Sequence, residues 1–284
     1  MTTPRERIAI VTDNTCDIPA PLVEQYRLTV VPLYVIWGDE ELRDGVDIDQ
    51  ETFYGRLTQD PIHPQTSQPT PGDFVRAIEG LDAQGVLVIT LTKALSGTYE
   101  SACQARQELN VPIHVVDSYS LSMGLGWQVL AAARAREAGA DVAGMVTAAE
   151  AVREKLSLLL TVDTLEYLHR GGRIGGAAKL VGSLVQLKPL LEIDHKSGVI
   201  EAVEKIRTRK RALRCLVEET FRRVDPERPA KVAVMHGAAR DDAEMLCREA
   251  QDRCREAEIV KSTITPVLGV HGGPGVVGIA AYNE

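Results

Sequence analysis

The chain has 284 residues, a length that suits one large domain or two ordinary ones. Its residues are 44% hydrophobic and 25% charged, which is the balance of a globular protein. The net charge of −8 disfavours nonspecific binding to nucleic acid or to an anionic membrane, and no apolar run approaches the ~20 residues of a transmembrane segment. The polar N-terminus predicts no signal peptide, and five cysteines without a Cys-x-x-Cys pair disfavour a zinc site and favour a reducing, cytoplasmic location.

The first half of the chain alternates short apolar runs with helical patterns. Strands are predicted over residues 8–12, 85–91 and 113–116, a further apolar run covers 29–37, and helices are predicted over 71–80, 97–108 and 122–138. Such alternation favours a parallel α/β sheet, with functional loops at the carboxyl ends of its strands.

The second half has a different pattern. We predict, in order, a helix over 141–155, a strand over 156–162, helical turns over 164–170, a glycine-rich bend over 171–176, an apolar helix over 178–187, a hairpin over 190–203, a basic helix over 208–223, a strand over 231–236, a helix over 241–255 and a final strand over 276–282. A hairpin followed by later strands indicates a mixed sheet. The predicted domains are therefore an N-terminal parallel α/β domain, residues 1–155, and a C-terminal mixed α/β domain, residues 156–284.

Two polar segments precede predicted helices. Thr66, Ser67 and Gln68 lie just before a proline-initiated helix, where hydroxyls and free backbone N–H groups suit an anion. Plain helix capping is the alternative for that segment. Ser96 and Thr98 follow a buried strand, at the place where an α/β sheet presents residues to a ligand, and capping is again the alternative.

Two glycine-rich segments each carry one residue suited to an anion. Arg173 lies in the 169–176 segment and suits a ligand carboxylate or phosphate, or equally an internal acid such as Glu166. The 271–278 segment formally contains G-x-G-x-x-G, but no helix or βαβ unit follows, so the dinucleotide-binding interpretation fails. We interpret it as a glycine-rich loop that brings His271 near a ligand, although a lone histidine is more often structural.

A basic stretch stands out on this acidic chain. It consists of Lys205, Arg207, Arg209, Lys210, Arg211 and Arg214. One interpretation is a solvated helix face, and the other is a docking face for an acidic partner or a phosphorylated ligand.

Motifs for several enzyme classes are missing from the sequence. There is no G-x-x-x-x-G-K-[ST], no H-E-x-x-H and no G-x-S-x-G. Asp13, Asp17, Asp117 and Asp163 are candidate acids or bases, but the first two also suit loop and capping roles.

Ten short segments, in order over nearly the whole chain, carry a family resemblance. They are residues 10–19, 66–74, 95–99, 117–118, 122–124, 163–168, 171–174, 188–189, 205–207 and 271–275. Each is weak alone, but together they resemble the DegV family of bacterial fatty-acid-binding proteins.

The resemblance implies a two-domain α/β protein that encloses one long-chain fatty acid in a tunnel between its domains. The chain would have no catalytic residue, metal or cofactor of its own. It would present the acyl carboxylate to a separate ATP-dependent fatty acid kinase subunit, which makes an acyl phosphate for phospholipid synthesis. By motif match, the carboxylate would meet Thr66 or Ser67 and Ser96, with Arg173 and His271 close by. The kinase would dock on the stretch that contains Arg207 and Arg209.

The sequence departs from the family pattern at three places. Asn14 stands where the family often has Ser, Thr92-Lys93 stands where it often has paired serines, and Gly272 replaces a usual Thr. The last change removes a hydroxyl beside the expected head-group site. Two alternatives also remain, a small-ketone-binding or phosphotransfer subunit like one domain of dihydroxyacetone kinases, and a lipid-dependent regulatory protein.

Overall fold

The computed structural model describes residues 7–180 and 187–284, and its strands form three sheets. The strands are β1 Ile8–Asp13, β2 Leu28–Val31, β3 Tyr34–Trp37, β4 Glu40–Arg43, β5 Gln65–Ser67, β6 Gly85–Thr90, β7 Ile113–Asp117, β8 Ser157–Thr161, β9 Leu190–Ile193, β10 Ile200–Glu204, β11 Ala230–His236, β12 Ala257–Thr263 and β13 Val277–Asn283. The α-helices are α1 Ala20–Gln25, α2 Gln50–Gln59, α3 Pro71–Glu79, α4 Thr98–Ala105, α5 Ser122–Glu137, α6 Val142–Lys155, α7 Glu166–Arg170, α8 Arg209–Arg223, α9 Arg240–Arg253 and α10 Pro266–Gly272.

The first sheet has the order β2-β1-β6-β7, and all of its pairings are parallel. Every residue of β6 is buried, as expected for a strand with helices on both faces of its sheet. Helices α3 and α4 cover one face through a cluster that includes Phe74 and Ile78. The predicted parallel α/β sheet of the first half is therefore confirmed.

A small antiparallel sheet, with the order β4-β3-β5, was not predicted. The apolar run over 29–37 is divided between two sheets, because Pro32 interrupts it and proline has no N–H group to donate to a ladder. Thr66 and Ser67 lie in β5 of this sheet, some residues before α3 begins.

The third sheet is mixed and has the order β10-β9-β8-β13-β11-β12. Only the β11–β12 pairing is parallel, and β9 with β10 forms the predicted hairpin. Strand β12 was not predicted. All six strands follow residue 155, whereas all strands of the other two sheets precede it; the division into two domains stays a prediction.

A layer formed by α5 and α6 lies between the first and third sheets. Helix α5 is buried over most of its length, which is typical of a helix inside a core. The Trp127 indole of α5 donates a hydrogen bond to the Ala280 carbonyl of β13 at 3.1 Å. One hydrophobic cluster accordingly includes Leu87 of β6, Trp127 and Ala280.

Two predictions for the second half need comment. The interpretation of residues 271–278 as a loop throughout is wrong, because His271 lies in the last turn of α10. The predicted apolar helix over 178–187 falls partly on residues 181–186, which lie outside the described residues. Immediately before them, Gly175–Leu180 forms a 3-10 helix.

None of the helices in the described residues has the length and apolar composition that a membrane span requires. The same residues contain no cluster of three or more histidine, cysteine or acidic side chains that would suit a metal ion. All five cysteines are free thiols.

Candidate functional site

A largely aliphatic cavity lies between the carboxyl ends of the parallel strands and the mixed sheet. It contains about 900 Å³ of space free of protein atoms, including its opening to solvent. Both halves of the chain contribute to the wall. Its apolar side chains include Leu91, Leu121, Leu158, Leu160, Ile193 and Met235.

Six polar residues of the cavity wall form a group that we call the polar cluster. Its members are Thr66, Ser67, Gln68, Ser96, Arg173 and His271. The Thr66 hydroxyl lies 2.9 Å from His271 Nε2, although 205 residues separate them in sequence. Ser67 and Gln68 are exposed, so the polar cluster reaches the surface, whereas Leu158 and Met235 are buried. All five residues predicted for the head-group site therefore line one cavity.

The His271 ring is mostly buried in the wall. Burial, with a smaller contribution from the positive charge of Arg173, lowers the pKa of His271 to about 4, so the imidazole is neutral at pH 7. Its Nδ1 atom has no hydrogen-bond partner among the described residues. The Gly171 backbone lies so close that a β-carbon there would be 2.0 Å from Nδ1. The ring is therefore held from two sides, by Thr66 and by Gly171.

The Arg173 guanidinium is oriented by backbone carbonyls. Its Nε donates to the Leu95 carbonyl at 3.1 Å, and its Nη1 donates to the Gly171 carbonyl at 2.8 Å. Glu166 instead pairs with Arg170 at 2.5 Å, so the alternative in which Glu166 neutralises Arg173 is wrong. Because no described carboxylate forms an ion pair with Arg173, its charge is available to an anion in the cavity.

The remaining hydroxyls differ in how they are used. Ser96 Oγ lies 2.9 Å from Thr98 Oγ1 and accepts a long hydrogen bond, 3.4 Å, from the Thr98 amide, so it combines a local role with a place in the wall. The Ser67 hydroxyl donates to the neighbouring Gln68 carbonyl at 3.3 Å. Capping of α3 is performed by Thr70, which forms a capping box with Asp73.

Gln68 and Gly272 also lie in the cavity wall, although neither was predicted to contact the ligand. Gln68 was not among the predicted contacts, although its amide is visible beside Thr66 and Ser67 in the sequence, and its side chain lies against Gly97. Gly272, one of the positions at which the sequence departs from the pattern implied by the resemblance, also lines the cavity.

Only some of the basic residues that precede and begin α8 form ion pairs with acidic side chains. Arg209 pairs with Asp242 at 2.7 Å and with Asp163 at 3.5 Å. Arg211 and Arg214 also have acidic partners, whereas Lys205, Arg207 and Lys210 are exposed and form no ion pair with a described residue. Neither Arg207 nor Arg209 lines the cavity.

Comparisons with known proteins agree over nearly the full length. A family model described as "Uncharacterised protein, DegV family" matches residues 7–284. A DegV domain-containing protein of Streptomyces coelicolor is 40% identical over 282 residues, which cover 98% of this chain and 99% of that protein. Solved structures of a DegV family protein from Thermus thermophilus and of DegV from Bacillus subtilis, both described as fatty acid binding, are 32% and 31% identical. Each has a TM-score of 0.91 and covers 98% of this chain and 100% of the other.

Proposed function

This chain belongs to the DegV family, and from that premise we propose that it binds one long-chain fatty acid in the cavity and presents the acyl carboxylate to a separate ATP-dependent fatty acid kinase. The observation that carries the proposal is the polar cluster at the surface end of an otherwise largely aliphatic cavity. The Thermus thermophilus and Bacillus subtilis structures, described as fatty acid binding, support this class of ligand.

The polar cluster suits the chemistry of a carboxylate. Burying this group without partners would cost several kcal/mol, and charge-assisted hydrogen bonds offset that cost. The hydroxyls of Thr66, Ser67 and Ser96 are donors, and the Arg173 guanidinium supplies a positive charge. Because the pKa of His271 is lowered to about 4, its ring contributes as a neutral hydrogen-bonding group.

The aliphatic wall suits an acyl tail. Each buried methylene contributes roughly 0.8 kcal/mol, so a chain of about 16 carbons gains on the order of 10 kcal/mol before the costs of ordering. The tail therefore supplies most of the affinity and the polar cluster fixes the orientation. The same wall offers little to a small hydroxylated ketone, which favours the fatty acid over that alternative.

The kinase step fits a ligand whose carboxylate faces the surface. The carboxylate oxygen would form a bond to the γ-phosphorus of ATP as the bond to the β-phosphate oxygen breaks, which gives an acyl phosphate and ADP. The kinase would supply the nucleotide, since the sequence has no phosphate-binding loop. In this proposal Arg207 and Arg209 face the kinase, the protein acts in the cytoplasm, and the domains 1–155 and 156–284 hold the ligand between them.

Native mass spectrometry on gently purified protein tests the binding step. We expect one fatty acid per chain, identified after denaturation, or uptake of one palmitate by lipid-free protein. A protein that purifies without lipid and takes up neither palmitate nor oleate would exclude fatty acid binding. If ATP alone raised the melting temperature, the alternative of a phosphotransfer subunit like one domain of dihydroxyacetone kinases would be favoured instead.

The head-group assignment is tested by removing hydroxyls. We expect Thr66→Ala and Ser96→Ala each to weaken palmitate binding by about three- to tenfold, because each removes a hydrogen-bond donor from the carboxylate site. The matched control is Thr147→Ala, which removes an exposed hydroxyl from α6 outside the cavity. Equal affinity in all three variants would refute the assignment while leaving fatty acid binding itself intact.

A further inference from the structure

Three carboxyl groups are buried behind the cavity wall, those of Asp13, Asp17 and Asp44. Each accepts a hydrogen bond from a residue that lines the cavity. The donors are, in that order, the Leu91 amide at 2.8 Å, the Ser122 hydroxyl and the Val267 amide at 2.7 Å. These three carboxyl groups therefore hydrogen-bond to the cavity wall from the side away from the cavity, and none of them belongs to the polar cluster.

Two of these carboxyl groups hold the start of α10. The first N–H groups of a helix have no partner within the helix. The Thr265 amide donates to Asp17 Oδ1 at 3.0 Å and the Val267 amide donates to Asp44 Oδ2, whereas the Thr265 side chain makes no capping hydrogen bond. The partners lie 248 and 223 residues apart in sequence, so both bonds join the first half of the chain to the second.

Helix α10 depends on such contacts. It has seven residues and contains two glycines, Gly269 and Gly272. A helix this short is not stable alone, and glycine weakens it further. Its position is therefore set by contacts with the rest of the chain, among them those at its N-terminal end.

The N-terminal end of α10, where Asp17 and Asp44 accept hydrogen bonds, is one helical turn from His271. Val267 and His271 are separated by four residues, so they lie on the same face of α10, about 6 Å apart along the axis, and both line the cavity. A shift at Val267 is transmitted to the imidazole and to its contact with Thr66.

We propose that Asp17 and Asp44 are positioning residues: by accepting the N–H groups of Thr265 and Val267 they fix α10, and through it the place of His271 in the cavity. The effect on fatty acid affinity rests on the function proposed above, whereas the effect on His271 does not. Neither carboxyl group lines the cavity, so neither touches the ligand.

The test compares alanine with asparagine at each position. Asparagine keeps a side-chain oxygen that can accept the backbone N–H group, and alanine removes it. The control is Asp141→Ala, because Asp141 caps α6 through the Gly144 amide at 2.8 Å and α6 carries no cavity residue.

The first readout needs no fatty acid. NMR titration of the His271 ring should give a pKa near 4 in the wild type, in both asparagine variants and in Asp141→Ala. In Asp17→Ala and Asp44→Ala we expect the His271 pKa to rise towards the ordinary value of about 6.5, because a displaced ring loses burial. A His271 pKa that stays near 4 in folded alanine variants overturns the proposal.

The second readout is palmitate affinity. We expect the alanine variants to bind about tenfold more weakly and the asparagine variants within about threefold of the wild type. If the His271 pKa moves as expected but no protein, the wild type included, binds palmitate, the proposed function fails and the positioning role stands.

A comparison among folded variants covers the case in which an alanine variant does not fold. The Val267 amide reports the hydrogen bond to Asp44, so its exchange with solvent and the pKa of His271 should change together or stay unchanged together in the wild type and in both asparagine variants. A folded variant in which the Val267 amide loses its protection while the His271 pKa stays near 4 overturns the proposal.

Discussion

At Gly171 the backbone of one glycine-rich segment lies directly against the imidazole of another. A β-carbon at this position would be 2.0 Å from His271 Nδ1 and 2.7 Å from Cε1. These atoms belong to an imidazole ring that is also hydrogen-bonded to the Thr66 hydroxyl, so the ring cannot move aside freely. Glycine is required here by close approach rather than by backbone conformation.

We therefore expect Gly171→Ala to displace His271 and to weaken palmitate binding by at least about tenfold, with a loss of about 1–3 kcal/mol in the free energy of unfolding. Denaturant unfolding and a palmitate titration measure the two effects. The control is Gly55→Ala on the exposed side of α2, where a β-carbon meets no atom within 4 Å. This control should gain about 0.5–1 kcal/mol in helix stability, and a Gly171→Ala protein that binds as tightly as the wild type would contradict the expectation.

The sequence allowed the individual site residues to be proposed but not their neighbours. Thr66, Ser96, Arg173 and His271 each stand in a small polar or glycine-rich segment, which is a local signal. The bond between Thr66 and His271 joins parts of the chain 205 residues apart, and no local pattern predicts it. The aliphatic wall was equally out of reach, because a cavity leucine and a core leucine look alike in sequence.

At the scale of elements, the strongly patterned strands and helices were predicted and those held by distant contacts were not. The run Val86 to Ile89 is continuous and apolar, and α5 is long and rich in alanine, so both have clear signals. Helix α10 has two glycines and depends on carboxyl groups from the other half of the chain. The strands β3, β4 and β5 are three or four residues long and pair only with one another.

The basic stretch before and within α8 contains residues that form ion pairs within the fold and residues that form none with a described acid. Arg209 is tied to Asp163 and Asp242, whereas Arg207 is exposed and pairs with no described acid. We expect Arg207→Glu to reduce ADP release by at least about tenfold when the palmitate-loaded protein is mixed with ATP and the fatty acid kinase of the same organism, because it reverses a charge at the proposed docking face.

Palmitate binding by Arg207→Glu should remain unchanged, since Arg207 does not line the cavity. The matched control is Arg255→Glu, an exposed charge reversal before β12, at the other end of that strand from the cavity residue Ile264. Equal ADP release with both variants and the wild type would argue against docking through Arg207.

At the scale of the whole molecule, buried acids link stability to pH. Burial raises the pKa of Asp13 to about 6, of Asp44 to about 7 and of Asp17 to about 8, from an ordinary value of 3.8. A raised folded pKa means that the folded protein holds a proton that the unfolded chain has released. The stabilising contribution is complete below pH 3.8 and is lost as the pH rises through the folded values. His271 acts in the opposite sense, because its lowered pKa costs stability only below about pH 6.5.

Between about pH 6.5 and 8 the aspartates therefore dominate. The free energy of unfolding should fall by up to about 1.4 kcal/mol per pH unit for each aspartate that is still protonated in the folded protein but ionised in the unfolded chain, chiefly Asp17. Urea unfolding at a series of pH values measures the slope. Asp17→Asn should flatten it, since asparagine does not titrate. Asp47→Asn is the control, because the Arg43 contact holds the pKa of exposed Asp47 at about 2, well below this window. A wild-type slope that survives Asp17→Asn unchanged would refute the link.

The helix layer of α5 and α6 has a kinetic consequence. It joins the first and third sheets in one hydrophobic cluster, so parting the halves would expose Trp127 and much of that cluster to water. A bound fatty acid would therefore exchange through the opening at the polar cluster while the two halves stay together. Longer acyl chains, which bury more methylenes, should then dissociate more slowly.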